Sequence, residues 1–211
     1  MKNYKIVIQA RMGSKRLPGK MLLLVNGKPL LLFLIDRLLK AHSKESIIVA
    51  TSNEIIDDKI FSLCNQNDIN CYRGSEKNVY SRYKEISELD TSVKNLIRLT
   101  GDNPLINLNL IADVFKDHIK NNSFFTSTRE INNKVINRYS PKGQSVDIIN
   151  TGAFKFVNEN ELTEYEKEHV IPVFYKTLNY YIHRPKNYKE LLSISVDNHS
   201  DFEKLKKYKN L

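Results

Sequence analysis

The sequence predicts an α/β protein: a mainly parallel sheet with helices on both faces and a small antiparallel extension. Two observations carry that class. Strand-like runs, the first of them apolar and rich in β-branched residues, alternate with helix-like stretches four times before residue 121, the pattern of successive βαβ units with right-handed crossovers. Two of the runs end in turns that carry charge, at Arg11 and at Asp102, and open α/β sheets bind ligands just outside the carboxyl ends of their strands.

The elements follow in order. Residues 4–10 (YKIVIQA) have the composition of a buried parallel strand. Residues 11–20 (RMGSKRLPGK) cannot be a helix interior, because Gly13, Pro18 and Gly19 fall close together. A core strand therefore opens into a flexible loop with four cations, Arg11, Lys15, Arg16 and Lys20, and the Ser14 hydroxyl. Glycine amides and Arg/Lys side chains suit a polyphosphate. On composition alone, a solvated basic turn is the competing reading. The loop is neither a Walker A sequence nor a G-x-G-x-x-G turn.

Asn26-Gly27-Lys28-Pro29 predicts a turn, with Pro29 at the first turn of a helix over 30–41. Residues 46–51 (SIIVAT) predict a second strand, and 54–67 a helix with Ile56, Ile60 and Leu63 inward. Residues 70–73 form a third strand ending at Gly74-Ser75, followed by a helix over 78–89. Residues 95–100 (NLIRLT) form a fourth strand, which ends in Gly101-Asp102-Asn103-Pro104 before a helix over 108–120. Beyond it, 124–128 and 134–149 read as extended, the second broken at Pro141-Lys142-Gly143. Residues 151–158 and 164–178 read as helical, 180–184 and 191–196 as strands. Ser200, with Glu203 three residues on, has capping-box spacing for a last helix to Tyr208. With no repeat or linker, residues 1–211 are expected to form one domain, with an extension around 124–150.

The formal charge is +9, but the lysines are dispersed apart from a modest tail at Lys204, Lys206, Lys207 and Lys209. That dispersion, with no RNP-like or helix-turn-helix signature, argues against a nucleic-acid-binding module, which also leaves the strand-end aspartates unexplained. The apolar stretch at 30–39 is interrupted by Asp36 and Arg37 and is too short to span a bilayer, so no membrane insertion is expected. The N-terminus lacks signal-peptide shape. Cys64 and Cys71 fit neither a zinc knuckle nor a disulfide framework, so reduced thiols and a cytoplasmic location are expected.

Asp102 ends a buried strand, and Gly101 lets the backbone turn sharply there. A carboxylate facing a cationic loop makes sense if a divalent ion and phosphates lie between them; an Asx-turn is the competing reading. Asp197 follows the 191–196 run in the same way, with a helix-capping role as its alternative. For Arg82 the alternative is an ion pair on a helix surface, and for His169 a satisfied structural histidine. The histidines lack metal-ligand spacing, and no Ser-His-Asp set is present.

QARMGSKRLPGKM resembles the signature loop of the sugar-activating cytidylyltransferases, and is most similar to the spore-coat polysaccharide cytidylyltransferases and the CMP-deoxyoctulosonate synthetases. Arg73-Gly74-Ser75-Glu76 with Val79, Arg82 and Tyr83 matches the spore-coat group's R-G-S-E-x-x-V-x-x-R-Y, and 101–105 resembles the family's G-D-x-P-L. Val196-Asp197 followed by S-D-F-E-K-L resembles the second metal carboxylate and its closing helix. The resemblance spans residues 6–205 and is strongest before Leu105. It implies a Rossmann-like nucleotide-diphospho-sugar transferase fold and a Mg2+-dependent transfer of CMP from CTP to a sugar or sugar-like acceptor, with release of pyrophosphate, for surface glycan synthesis. It implies that Ala10, Arg11, Gly13, Ser14, Arg16, Lys20 and Arg82 hold the nucleotide and that Arg73 and Ser75 help enclose the base. Asp102 and Asp197 would bind the metal, and with Arg11 and Lys20 would form the catalytic set. Gln144, Asp147, Glu168 and His169 would border the acceptor. A homodimer built partly from the segment after Phe124 is also implied. Lys15 departs from the pattern, where a small hydroxyl residue is expected. A sugar-1-phosphate nucleotidyltransferase using another NTP is the alternative enzyme. For the acceptor, a keto-acid sugar, a sugar phosphate and a polyol all fit.

Overall fold

The computed structural model describes residues 3–132, 135–177, 179–186 and 191–208. Its centre is β1 (Tyr4–Gln9), whose Ile6, Val7 and Ile8 are fully buried. Ile6 and Ile8 enter one hydrophobic cluster and Val7 another, as the period-2 alternation of a strand covered on both faces requires. Asn26-Gly27 turns the hairpin between β2 (Leu24–Val25) and β3 (Lys28–Pro29), both residues having positive φ. The first cluster is covered by α1 (Leu30–Leu39), α2 (Asp58–Gln66), α4 (Leu108–Lys120) and α7 (His199–Lys206). The second is covered by α3 (Val79–Leu89) and α6 (Pro172–Thr177), with α5 (Glu164–His169) packed against α3.

Beside β1 lie β4 (Ile47–Ser52) and then β5 (Asn70–Gly74), with β6 (Asn95–Thr100) on its other side. Next come β10 (Asp147–Asn150), β7 (Phe125–Ser127) and β11 (Tyr180–Ile182), giving the order β11-β7-β10-β6-β1-β4-β5. Only β10 runs against its neighbours in this sheet. The chain winds outward from β1 to β5 and then returns to β6, so the β1/β6 junction is the topological switch point where such sheets bind ligands. A separate antiparallel hairpin joins β8 (Arg129–Asn132) to β9 (Val135–Arg138). The expected extension is therefore a hairpin plus one reversed strand, and β8 is an element the sequence pattern did not reveal.

Four expectations are corrected. Residues 191–197 form no strand. Both edges of β6 are already paired, to β1 and β10, so the segment instead crosses the sheet's carboxyl end, where the Val196 N–H donates to the Asp102 carbonyl at 2.8 Å. The single helix over 164–178 is two short ones, α5 and α6, broken at Val170 (φ 67°) before Pro172. Ile56 faces out, because Ile55–Asp57 is a 3-10 turn that shifts the helical phase. Ser200 lies inside α7; Asn198 is the cap, its side chain accepting from the Asp201 N–H at 3.0 Å. Residues 151–158 carry a 3-10 turn over Thr151–Phe156. The readings at residues 134, 178 and 209 lie outside the described residues. Among the described residues no helix is long and apolar enough to cross a membrane.

Candidate active site

The loop after β1 is braced, where a flexible one was expected. Ser14 and Gly19 both donate backbone N–H groups to the Met12 carbonyl, at 2.9 and 3.0 Å. The Met12 N–H donates to Asp57 Oδ1 at 2.7 Å, and Asp57 Oδ2 accepts from the Ser52 N–H at 3.1 Å and from its hydroxyl. Asp57 is buried, so one carboxylate fastens the loop to the end of β4. The Ser14 hydroxyl accepts from the Leu17 N–H at 3.3 Å.

Lys20 emerges from this loop and turns inward. It is only 8% exposed, and its Nζ donates to Asp102 Oδ2 and to the Val196 carbonyl, both at 2.8 Å. Asp102 Oδ1 accepts from the Thr100 hydroxyl at 2.6 Å. Burial pushes the Asp102 carboxyl up, but the Lys20 ammonium and the hydrogen bonds from Lys20 and Thr100 outweigh it and hold the group below the usual carboxylate value. Gly101 permits the approach: a Cβ there would stand 2.7 Å from Met21 Sδ. Asp197 accepts from Arg16 at 2.9 Å on Oδ1 and from Lys142 at 2.5 Å on Oδ2.

Two cavities meet at these aspartates. The larger, about 460 Å3, lies among the β1 loop, α3 and α5 and is lined by Ala10, Arg11, Ser14, Arg16, Lys20, Arg82, Glu168 and His169, with Lys15 also on its wall. The smaller, about 260 Å3, is lined by Arg129, Arg138, Lys142, Gly143, Ser145 and Ser195. Arg16, Arg98, Thr100, Asp102 and Asp197 line both. The fold thus brings Asp102 and Asp197 to one partition although they are far apart in sequence.

Several expected site residues have other work. Arg73 donates to the Ser52 and Glu54 carbonyls at 3.1 Å each, pairs with Asp58 at 2.7 Å and lies over the Phe61 ring; it is not on the wall of either cavity. The Ser75 hydroxyl accepts from the Asn78 N–H at 3.0 Å, fixing the turn into α3. Gly13 is exposed and lies outside both linings. Gln144 is fully buried, its amide engaged with the Leu105 and Leu192 carbonyls and the Asn107 N–H at 2.8–2.9 Å. Asp147 is buried beneath the smaller cavity: it accepts from Arg98 at 2.9 Å, Arg129 at 2.7 Å and the Ser127 hydroxyl at 2.7 Å. Burial raises its carboxyl, yet the Arg129 and Arg98 guanidiniums hold it below the usual value. Glu168 and His169 face the larger cavity, not the smaller, and burial lowers the His169 imidazole.

Arg82 is not a surface ion-pair residue. It is 1% exposed, donates to the Ala50 carbonyl at 3.3 Å, and its Nε has no hydrogen-bond partner among the described residues. Burial pulls its guanidinium below the usual value. A buried donor left open beside a cavity is available to a ligand acceptor. Arg98 spans the partition, donating to Gln9 Oε1 and Asp147, with its guanidinium 6.0 Å from the Tyr83 ring centroid. Arg98, Arg129, Arg138, Lys142 and Asp57 were not singled out from the sequence. Arg98 carried a usable signal: an arginine inside an otherwise apolar strand needs a buried partner or a ligand.

Among the described residues, no group of three or more His, Cys, Asp or Glu side chains could hold a metal by itself. Asp102 and Asp197 supply two hard carboxylates on one wall, a donor set that suits magnesium when phosphate oxygens complete the shell.

Comparisons with known proteins bear on the family and the fold. A family profile described as Cytidylyltransferase matches residues 5–211. The Bacillus subtilis spore coat polysaccharide biosynthesis protein SpsF is 28% identical over 212 residues, covering 98% of this chain and 86% of the relative. The 3-deoxy-manno-octulosonate cytidylyltransferase 2 of Hydrogenovibrio crunogenus is 28% identical over 218 residues, covering 100% of this chain and 86% of its own. A solved cytidylyltransferase from Leptospira borgpetersenii superimposes with a TM-score of 0.84 at 26% identity, covering 98% of this chain and 86% of that one.

Proposed function

The chain belongs to the cytidylyltransferase family, and from that membership we propose that it transfers CMP from CTP to a sugar-type acceptor, with Mg2+, for surface glycan synthesis. The observation that carries this reading is the partition: Asp102 and Asp197 stand between a larger cavity walled by the basic loop and a smaller one beyond it. CTP occupies the larger cavity and the acceptor the smaller. An acceptor oxygen attacks the α-phosphorus in line, the bond from that phosphorus to the oxygen bridging to the β-phosphate breaks, pyrophosphate leaves with that electron pair, and the proton of an attacking hydroxyl passes to solvent.

Charge on the phosphates is the main obstacle, so positioning and electrostatics supply most of the catalysis. Arg11, Ser14, Arg16 and Lys20 hold the triphosphate. The Lys20 ammonium has three N–H donors, of which Asp102 and Val196 take two, and the third is available to a phosphate oxygen. Arg82 offers its open Nε–H to an acceptor atom of the pyrimidine. Asp102 and Asp197 would hold magnesium, which supplies charge neutralisation at the α-phosphate.

The same reading takes the protein as a cytoplasmic homodimer. Free thiols at Cys64 and Cys71 fit a reducing compartment, and exposed Val135 and Ile136 on the β8–β9 hairpin offer apolar surface for a second copy. Incubation with CTP, MgCl2 and a sugar panel, read by pyrophosphate release, tests the activity. CTP with magnesium should also raise the melting temperature more than ATP, GTP or UTP. Equal shifts from all four would contradict the cytidine assignment.

A further inference from the structure

Neither cysteine takes part in the chemistry at the partition, yet the fold brings the two together. Cys64 lies in the last turn of α2, and Cys71 is the second residue of β5. Between them the helix ends in a Schellman turn. The Ile69 N–H donates to the Cys64 carbonyl at 2.9 Å, the Asp68 N–H donates to the Asn65 carbonyl at 3.2 Å, and Asp68 has φ 51°. That turn folds the chain back, so that β5 runs beside the helix it has just left. Cys71 pairs in register with Val49 of β4 and packs into the same hydrophobic cluster as Cys64. The two side chains hydrogen-bond to one another.

Their surroundings differ in the way a reacting thiol and its partner require. Cys64 is fully buried, whereas Cys71 is half-buried on the outermost strand of the sheet. The hydrogen bond to Cys71, together with burial, pushes the Cys64 thiol up. The same hydrogen bond holds Cys71 below the ordinary thiol value against the opposing effect of burial, with help from the Arg73 guanidinium. A partly exposed thiol beside a cation is the reactive kind, and a buried one is inert until something reaches it. The two elements are already clamped at their other ends, where Arg73 of β5 pairs with Asp58 of α2 at 2.7 Å.

We propose that Cys71 is an oxidation site for hydroperoxides and that Cys64 resolves it, giving a reversible Cys64–Cys71 disulfide within one chain. The Cys71 thiolate attacks the terminal oxygen of the hydroperoxide and the O–O bond breaks. The peroxide is reduced to an alcohol or water, taking up a proton, and Cys71 is oxidised to a sulfenic acid. Cys64 then gives up its proton as its sulfur attacks the Cys71 sulfur. The S–O bond breaks, and the hydroxide leaves with that proton as water. Two thiols and one hydroperoxide thus become one disulfide, one alcohol or water, and one further water. The disulfide spares Cys71 from irreversible oxidation, and cellular thiols return both groups to the free state.

The test uses the native full-length protein and hydrogen peroxide in slight excess. The chain has two cysteines, and trypsin releases both in residues 60–73, since Lys59 and Arg73 flank a stretch without another Lys or Arg. After peroxide treatment this peptide should be lighter by two hydrogens and closed to N-ethylmaleimide, and dithiothreitol should reopen both thiols. The oxidised protein should remain free of disulfide-linked dimers, keep its far-UV circular dichroism and melt at a higher temperature, because the bond joins elements already packed together. In Cys64→Ser a sulfenic acid should accumulate at Cys71 and be captured by dimedone. In Cys71→Ser the remaining Cys64 should react at least about tenfold more slowly than Cys71 does in Cys64→Ser. A wild-type peptide that keeps two free thiols or only gains oxygen, disulfides formed only between chains, or equal reactivity in the two variants overturns the proposal. The wild-type peptide decides it even if a variant fails to fold. No readout uses nucleotide or acceptor, so the result is independent of the cytidylyltransferase reading.

Discussion

The two cavities are made in different ways. The larger is local: most of its positive charge lies in one loop of ten residues, fastened to the end of β4 by Asp57 and to the turn after β6 by Lys20. The smaller is assembled from β6, both strands of the hairpin, the 141–144 turn and the 191–197 segment, joined through the buried Asp147. A site carried by one loop tolerates changes elsewhere in the chain, whereas a site gathered from five segments depends on the polar groups that hold them together.

The largest effect should therefore come from Asp147. Asp147→Ala leaves Arg98 and Arg129 buried without their shared carboxylate and should cost about 3–5 kcal/mol, the range for breaking a buried pair, measured by urea unfolding. The corresponding break on the local side, Asp57→Ala, should cost less, since it leaves backbone groups rather than two charges unsatisfied: about 1–3 kcal/mol. Equal losses would remove the contrast between the two regions.

Lys20→Ala should lower turnover by roughly tenfold to a thousandfold, the size of a lost charge contact in the transition state. Unlike a surface lysine, it should also lower stability, because it joins Asp102 to Val196. Arg82→Ala should raise KM for CTP by about tenfold, a typical scale for one charge-assisted hydrogen bond, while Arg73→Ala should leave KM for CTP unchanged. The reverse order would return the base contact to Arg73.

The smallest effect concerns pH. The folded Asp102 carboxyl lies below its ordinary 3.8, so its contribution to stability is fully present above that value and is lost as pH falls through the lower folded value. The stability difference between wild type and Asp102→Asn should therefore hold from pH 7 to about 5 and shrink on further acidification. A difference that stays constant down to pH 2 would contradict the Lys20–Asp102 pairing.

The contrast also governs what the sequence made legible. Strands β1, β4 and β6 were readable because apolar β-branched runs bounded by turns have few other uses, and β5 from the Gly74-Ser75 turn that ends it. The β1 loop was readable because its four cations fall within ten residues. Arg129, Arg138 and Lys142 were not, since nothing in a linear pattern says that a hairpin and a turn converge on β6. Asp147 and Gln144 were legible only through the resemblance of 143–147 to the family's acceptor-side segment, and their partners, and so their structural roles, depend on tertiary packing. The 191–196 run had the composition of a strand and failed to be one because no edge of β6 was left for it.

The central claim, that Asp102 and Asp197 act as one unit at the partition, is tested most directly by pyrophosphate release from Asp102→Asn, Asp197→Asn and the double variant, assayed with CTP, magnesium and the acceptor. Each single substitution should remove most of the activity, and the double should be little worse than the worse single, as for residues that act together. Multiplicative losses, or full activity in either single variant, would contradict it.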